Sequence, residues 1–269
     1  MIRRLLLEYG AACILLVSPS SVARPQDSWI TEGFPAGERM LFEGRFGVFS
    51  LGNASMSVLP PDTVHGILSS HLRLTISASL IGVYRINDSF ESWVDCGTGF
   101  SRRFIQDYDE SNQQHRNVYD IFPDSGFFRQ SGIDSVMPTV REPLDETAFL
   151  YWVRTLDLEP GDTLRLSRYF RPDRNPITVT VLERDTLDMP AGRFETIVVQ
   201  PTIPDGGLLF SEEAEARVWL SDDDRRLVVQ MKVKLMGFAT VALRLEEYEV
   251  PEVGTSCGEK PESEDRRAR

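Results

Sequence analysis

Between Met40 and Val250 the chain is written almost throughout in a two-residue rhythm. His71–Ser79 reads HLRLTISAS, Ile177–Leu187 reads ITVTVLERDTL and Leu227–Met236 reads LVVQMKVKLM. Alternation of this kind marks β-strands with one packed and one wet face, because successive side chains point to opposite sides of the sheet. Clusters of Gly, Pro, Asn and Asp separate the runs at hairpin distances, so consecutive strands pair mostly antiparallel. Val218–Lys234, VWLSDDDRRLVVQMKVK, is the plainest hairpin. Asp222, Asp223 and Asp224 suit its turn. Beyond the turn, Lys232 and Lys234 share one face, and Met231, Val233 and Leu235 share the other. No fixed-period repeat interrupts the pattern.

One segment departs from it. EPLDETAFLYWVRTLDLEPGD predicts a helix from Pro143 to about Leu156. Pro143 suits the first helical position, Asp145 and Glu146 the positive N-terminal end, and Arg154 the negative C-terminal end. Pro160-Gly161 closes the unit. Leu144, Ala148, Tyr151 and Thr155 form one stripe, and Phe149, Leu150, Trp152, Val153 and Leu156 fill much of the remaining surface. A helix that is apolar nearly all round must be enclosed by protein. The expectation is therefore a mainly β domain: a single antiparallel, strongly curved sheet, a half-barrel or open barrel, with the helix in its concavity. A flat two-sheet sandwich would give such a helix less to bury against.

Asp185–Pro201, DTLDMPAGRFETIVVQP, poses a local question: is it a ligand loop or a sheet corner? Pro190 fixes φ and lacks an N–H, which ends one strand. Gly192 permits the positive φ of the turn back. Phe194, Thr196, Val198 and Gln200 lie on one face, with Ile197 and Val199 on the other, so both faces are apolar and the strand is central. The reading is a structural corner. This stretch also resembles a recurrent segment of a bacterial family of exported proteins, domain of unknown function DUF3108. Three other stretches agree in type and order: Gly37–Val58 (GERMLFEGRFGVFSLGNASMSV), Asp145–Leu166 (DETAFLYWVRTLDLEPGDTLRL) and Glu215–Tyr248. The resemblance covers Glu38 to Tyr248. It implies an envelope-associated protein with a curved, helix-plugged sheet like those of lipoprotein carriers. It brings no catalytic or binding residues with it.

The ends of the chain carry their own signals. Met1-Ile2-Arg3-Arg4 is basic, Leu5–Val17 is mostly apolar despite Glu8, Ser18-Pro19-Ser20 breaks the run, and Ser21-Val22-Ala23 ends in small residues. That order reads as a secretory signal over 1–23, cleaved near Ala23. Cys13, preceded by Gly10, does not read as a lipid-attachment site. Residues 24–37 read as a polar lead-in, 38–250 as one β-rich domain, and 251–269 as a disordered charged tail. No run is long and apolar enough to make a transmembrane helix. The expected location is the periplasm or cell envelope, where Cys96 and Cys257 could pair; the sequence leaves that open.

The formal charge of −12 argues against binding a nucleic-acid backbone and against attraction to an anionic lipid surface. No catalytic signature stands out: there is no Gly-x-Ser-x-Gly elbow and no phosphate-cradling Gly loop. His65, His71 and His115 lack ligand spacing, and Asp222–Asp224 lacks a calcium-loop pattern. Glu91, Asp95, Asp107 and Asp109 fall on neighbouring predicted strands and could supply an acid–base pair. Arg102 and Arg103, beside aromatics, could hold an anionic head group or simply pair with acids across strands. The sequence thus assigns no catalytic, metal, cofactor or ligand-binding residue, and no cofactor. It predicts a non-catalytic binder of an apolar or amphipathic, lipid-like ligand, or of an envelope protein, in the β concavity. The alternatives are an assembly module with a filled core, and a carboxylate-dependent hydrolase of envelope polymers.

Overall fold

The computed structural model describes residues 34–80, 84–111, 113–204, 210–235 and 239–251, together with Cys257. The predicted leader, most of the lead-in and most of the tail lie outside the described residues. Two antiparallel meanders make up the sheet. The first contains β1 (Arg39–Phe46), β2 (Phe49–Val64), β3 (Ile67–Leu80), β4 (Tyr84–Asp95), β5 (Ser101–Glu110), β6 (Gln113–Phe122), β7 (Phe127–Gln130) and β8 (Met137–Pro138). The second contains β9 (Thr163–Leu166), β10 (Ile177–Met189), β11 (Gly192–Thr202), β12 (Arg217–Ser221), β13 (Val228–Leu235) and β14 (Ala239–Glu249). They join where β1 pairs with β14, giving one open 14-stranded sheet that runs from β8 through β1 and β14 to β9.

The sheet wraps its helix as the apolar pattern requires. Every residue of α1 (Glu146–Val153) is buried. Phe149 packs edge-on against Phe210, and Phe34 against Tyr151. The helix starts later than the sequence predicts, and Pro143 lies outside it. Leu144 instead bridges to Tyr169, and Asp145 becomes the N-cap, its carboxylate accepting from Ala148 N–H at 2.9 Å. Ser92 Oγ donates to the same carboxylate at 2.5 Å, which ties the cap to β4. At the other end Arg154 is the C-cap, completely buried in a bidentate pair with Glu38 at 2.7 and 2.9 Å. Its Nε also donates to the carbonyl of Arg226. The helix is therefore fastened to β4, to the start of β1 and to the β12–β13 turn.

The Pro-Ala-Gly corner is the turn between β10 and β11. Met189 pairs with Gly192, whose φ is +133°, and β11 lies between β10 and β12. Asp222 and Asp223 are turn residues, bound to Arg184, Arg226, Arg225 and Ser221. Gly52 is a close-approach position: a Cβ there would stand 2.0 Å from the carbonyl of Ser77. Cys96 and Cys257 form a disulfide, which ties the tail back to the end of β4.

Breaking the Glu38–Arg154 pair on one side leaves a buried charge. We expect Arg154→Met to destabilise the fold by about 3–5 kcal/mol in denaturant titration. The Glu38→Met/Arg154→Met double variant should recover most of that loss.

Candidate functional site

The inner face of the sheet divides into two zones. In one, α1 fills the concavity. In the other, registers across β14, β1, β2, β3 and β4 align two rows: Leu243–Gly44–Gly52–Ala78–Ile86, and Leu245–Phe42–Ala54–Ile76–Asp88. Leu243, Ala78, Ile86 and Ile76 are only half-buried. This strip is apolar, with Asp88 set into it.

Beside the strip, on β5 and β6, lies a cleft of about 210 Å³. Phe104, Tyr108, Tyr119, Tyr169 and Phe170 supply its aromatic wall, Gln106 and Asn117 its amides, and Arg171 and Arg174 its cations. The alternation of β5 aims Phe104, Gln106 and Tyr108 inward together, and the pairs Phe104↔Tyr119 and Gln106↔Asn117 extend the wall onto β6. Phe170 holds the far side, edge-on to Tyr119 at 5.2 Å and to Phe128 at 5.1 Å. Arg174 stands over Tyr169, its guanidinium 5.9 Å from the ring centre. Behind Tyr169 lies Glu146, the first residue of α1, which accepts from the Tyr169 hydroxyl at 3.3 Å. Pockets for whole drug-sized molecules begin at about 300 Å³. This cleft can therefore take a head group or a ring, not an entire ligand.

Three buried carboxyls surround this region, and burial raises the pKa of each. Glu146 is pushed up to about 7 by desolvation, opposed by Arg174 and the Tyr169 hydroxyl. Asp145 reaches about 6 by desolvation, moderated by its cap hydrogen bonds. Asp88 reaches about 6, again mainly by burial, with the Asp109 N–H on Oδ1 opposing. The neighbouring Glu110 carboxyl adds to the upward shift of Asp88. Glu146 and Asp88 both add to the upward shift of the Tyr108 phenol, so the two carboxyls act on the cleft from α1 and from β4.

None of these three was singled out as chemistry from the sequence. The residues that were singled out lie elsewhere, each with its own partner. Glu91 binds His71 and Arg73, and these hydrogen bonds hold its carboxyl down at about 2. Asp95 binds Arg102, Asp107 faces Arg116, and Asp109 faces Arg85. Arg103 pairs with Asp120, which also receives His65. His115 stacks on Tyr108. The structure pairs each of those four carboxylates with a cation. Among the described residues no His, Cys, Asp and Glu cluster could hold a metal ion, and no helix is long and apolar enough to cross a membrane.

Residues 41–242 match the model of a protein family of unknown function, DUF3108. The chain belongs to this family. No curated protein matches it. Among solved structures, the DUF3108 chain is similar to a β-barrel-like protein of domain of unknown function DUF1849 from Brucella abortus. The TM-score is 0.52 at 7% identity, over 81% of this chain and 99% of that one. That likeness bears out the open, barrel-like sheet. Looser overlaps, from which nothing is drawn, are with two further proteins. One is a Parabacteroides distasonis protein provisionally called a lipoprotein (TM-score 0.34, 11% identity, 81% of this chain and 99% of that one). The other is a Bacteroides fragilis protein with a YmcC-like fold, provisionally called exported (TM-score 0.30, 13% identity, 80% and 98%).

The raised Glu146 carboxyl has a measurable sign. The folded state keeps this proton when the unfolded chain has lost it, so its contribution to stability falls as pH rises from about 4.5 to about 7 and then levels off. Glu146→Gln should remove that slope. The variant should gain stability relative to wild type between about pH 5 and about pH 8, on the order of 3 kcal/mol, in paired denaturant titrations.

Proposed function

We propose that this domain is an exported, non-catalytic binding module for an amphipathic ligand with an anionic head. The observation that carries the reading is the cleft itself: five aromatic rings with Arg171 and Arg174, opening beside a half-buried apolar strip. Guanidinium groups suit a carboxylate or phosphate, and the rings suit whatever adjoins it. The apolar strip from Leu243 to Ile86 would take the tail. The leader-like residues 1–23 and the resemblance to exported proteins support an envelope location. The carboxyls near the cleft fit this reading without catalysis: Asp145 is occupied as a helix cap and Glu146 by Tyr169.

A second reading, an assembly module acting through its surface, draws on α1. Its complete burial fills a large part of the concavity that a carrier would keep open.

The two separate in a titration with dodecyl phosphate followed by calorimetry. The binding reading expects saturable uptake by the wild type, weakened about ten-fold or more in Arg171→Gln/Arg174→Gln. Equal heats from both proteins, or no saturation, would favour the assembly reading.

A further inference from the structure

The floor of the β5–β6 cleft holds a buried amide without a partner. Gln106 is only 8% exposed, it lines the cleft, and its side chain makes no hydrogen bond among the described residues. Its surroundings are aromatic on three sides. Phe104 and Tyr108 flank it along the same face of β5, and Phe90 stands opposite it on β4. Tyr108 meets Phe90 edge-on at 5.4 Å, which closes that corner. On the fourth side its direct partner in β6 is Asn117. The Oδ1 of Asn117 accepts from Gln130 Nε2 at 3.3 Å, so the Asn117 amide keeps its own N–H groups for the cleft.

A primary amide among rings forfeits its hydration unless something bonds it, and buried polar groups nearly always have a partner. Thr147, Tyr151 and Trp152 also bury unpartnered polar atoms, but those are sealed in the core. Gln106 differs because it opens on a space that a ligand can enter. What could bond it follows from its atoms. Gln106 offers a carbonyl that accepts and an NH2 that donates, and Asn117 adds donors. A phosphate, a carboxylate or an ester can only accept, which leaves the Gln106 carbonyl unpaired. A secondary amide supplies both a donor and an acceptor on one rigid plane. Position agrees with this. The apolar strip ends on β4 at Ile86 and Asp88, and β5 lies one strand spacing beyond, about 4.8 Å. Arg171 already faces Asp173 at 3.2 Å, which leaves Arg174, over Tyr169, as the cation for the head.

We propose that the cleft selects ligands whose apolar tail is joined to the anionic head through an amide, as in an N-acylated amino acid. This rests on the binding reading above and names the linkage in its ligand. The amide N–H donates to Gln106 Oε1, and the amide C=O accepts from Asn117 Nδ2. The tail runs toward Ile86 and the anion toward Arg174. An ester in the same place has no N–H to give. A site that holds a buried acceptor for that N–H therefore discriminates against it.

Calorimetry of the purified full-length protein with two matched probes tests the proposal. N-dodecanoylglycine and O-dodecanoylglycolate have the same length and charge and differ only in N–H against O. Wild type should bind the amide about ten-fold more tightly than the ester, or better. Gln106→Leu should still bind the ester but bring the two probes within about two-fold of each other. Gln106→Met, closer to glutamine in shape, should do the same. Arg174→Gln should weaken both probes alike and keep the preference, because it touches the head and not the linkage. Equal affinities in wild type, or a preference undiminished in both Gln106 variants, would overturn the proposal. If wild type then still takes up dodecyl phosphate, the binding reading stands without it. If none of the three probes binds saturably, both fall together.

Discussion

An eight-residue helix with no wet face sets the terms for the rest of the structure. Phe149, Leu150, Tyr151, Trp152 and Val153 are all buried, and each large apolar side chain contributes roughly 1.5–3 kcal/mol only if something covers it. A flat sheet covers one side. A long curved sheet covers several, and this one turns its inner face around the helix and calls on Phe210 and Phe34 for the remainder. The price is polar: Thr147, Tyr151 and Trp152 each bury a side-chain polar atom that has no partner among the described residues. The ends of the helix are better served. Asp145 is capped into β4 and Arg154 is locked to Glu38, so the helix is held at both ends by charge-assisted hydrogen bonds.

That fastening leaves the other zone of the inner face free for a different use. Where the helix stops, the sheet presents half-buried aliphatic residues from β14 to β4 and aromatic ones on β5 and β6. Carboxyls that would be costly if ionised in such surroundings have their pKa raised, as at Asp88 and Glu146. The electrostatics of this zone come from burial rather than from a charged partner. On the outer face the opposite holds. Glu91 is held charged by His71 and Arg73, and Asp120 is paired with Arg103. One sheet thus carries a stabilising ionic face and an inner face in which burial raises the pKa of the carboxyls.

Much of the architecture was legible in the sequence, for physical reasons that can be named. Alternation showed the strands, and the mixed apolar faces of Phe194–Val199 marked β11 as central, where it lies. The Pro190–Gly192 turn followed from ring constraint and positive φ. The helix showed itself by having no polar side. Its start was misplaced because Pro143 and Asp145 both fit an N-terminus, and the choice depended on Leu144 being drawn into a bridge with Tyr169, far along the chain. The site was less legible. Asp88 reads as one acid among many on an alternating strand, and Glu146 as a residue of a favourable first turn. Only the burial created by β5, Tyr169 and Arg174 distinguishes them. The β1–β14 pairing and the Cys96–Cys257 bond likewise depend on distances between the ends of the chain that no local pattern records.

Native mass spectrometry of the exported full chain, before and after solvent extraction, tests the account most directly. The central claim is that the inner face and its cleft hold an amphipathic molecule. The account predicts a stoichiometric adduct of lipid-like mass that extraction removes and that Arg171→Gln/Arg174→Gln does not carry. A bare chain mass for both proteins before extraction, or an adduct retained equally by the variant, would contradict it.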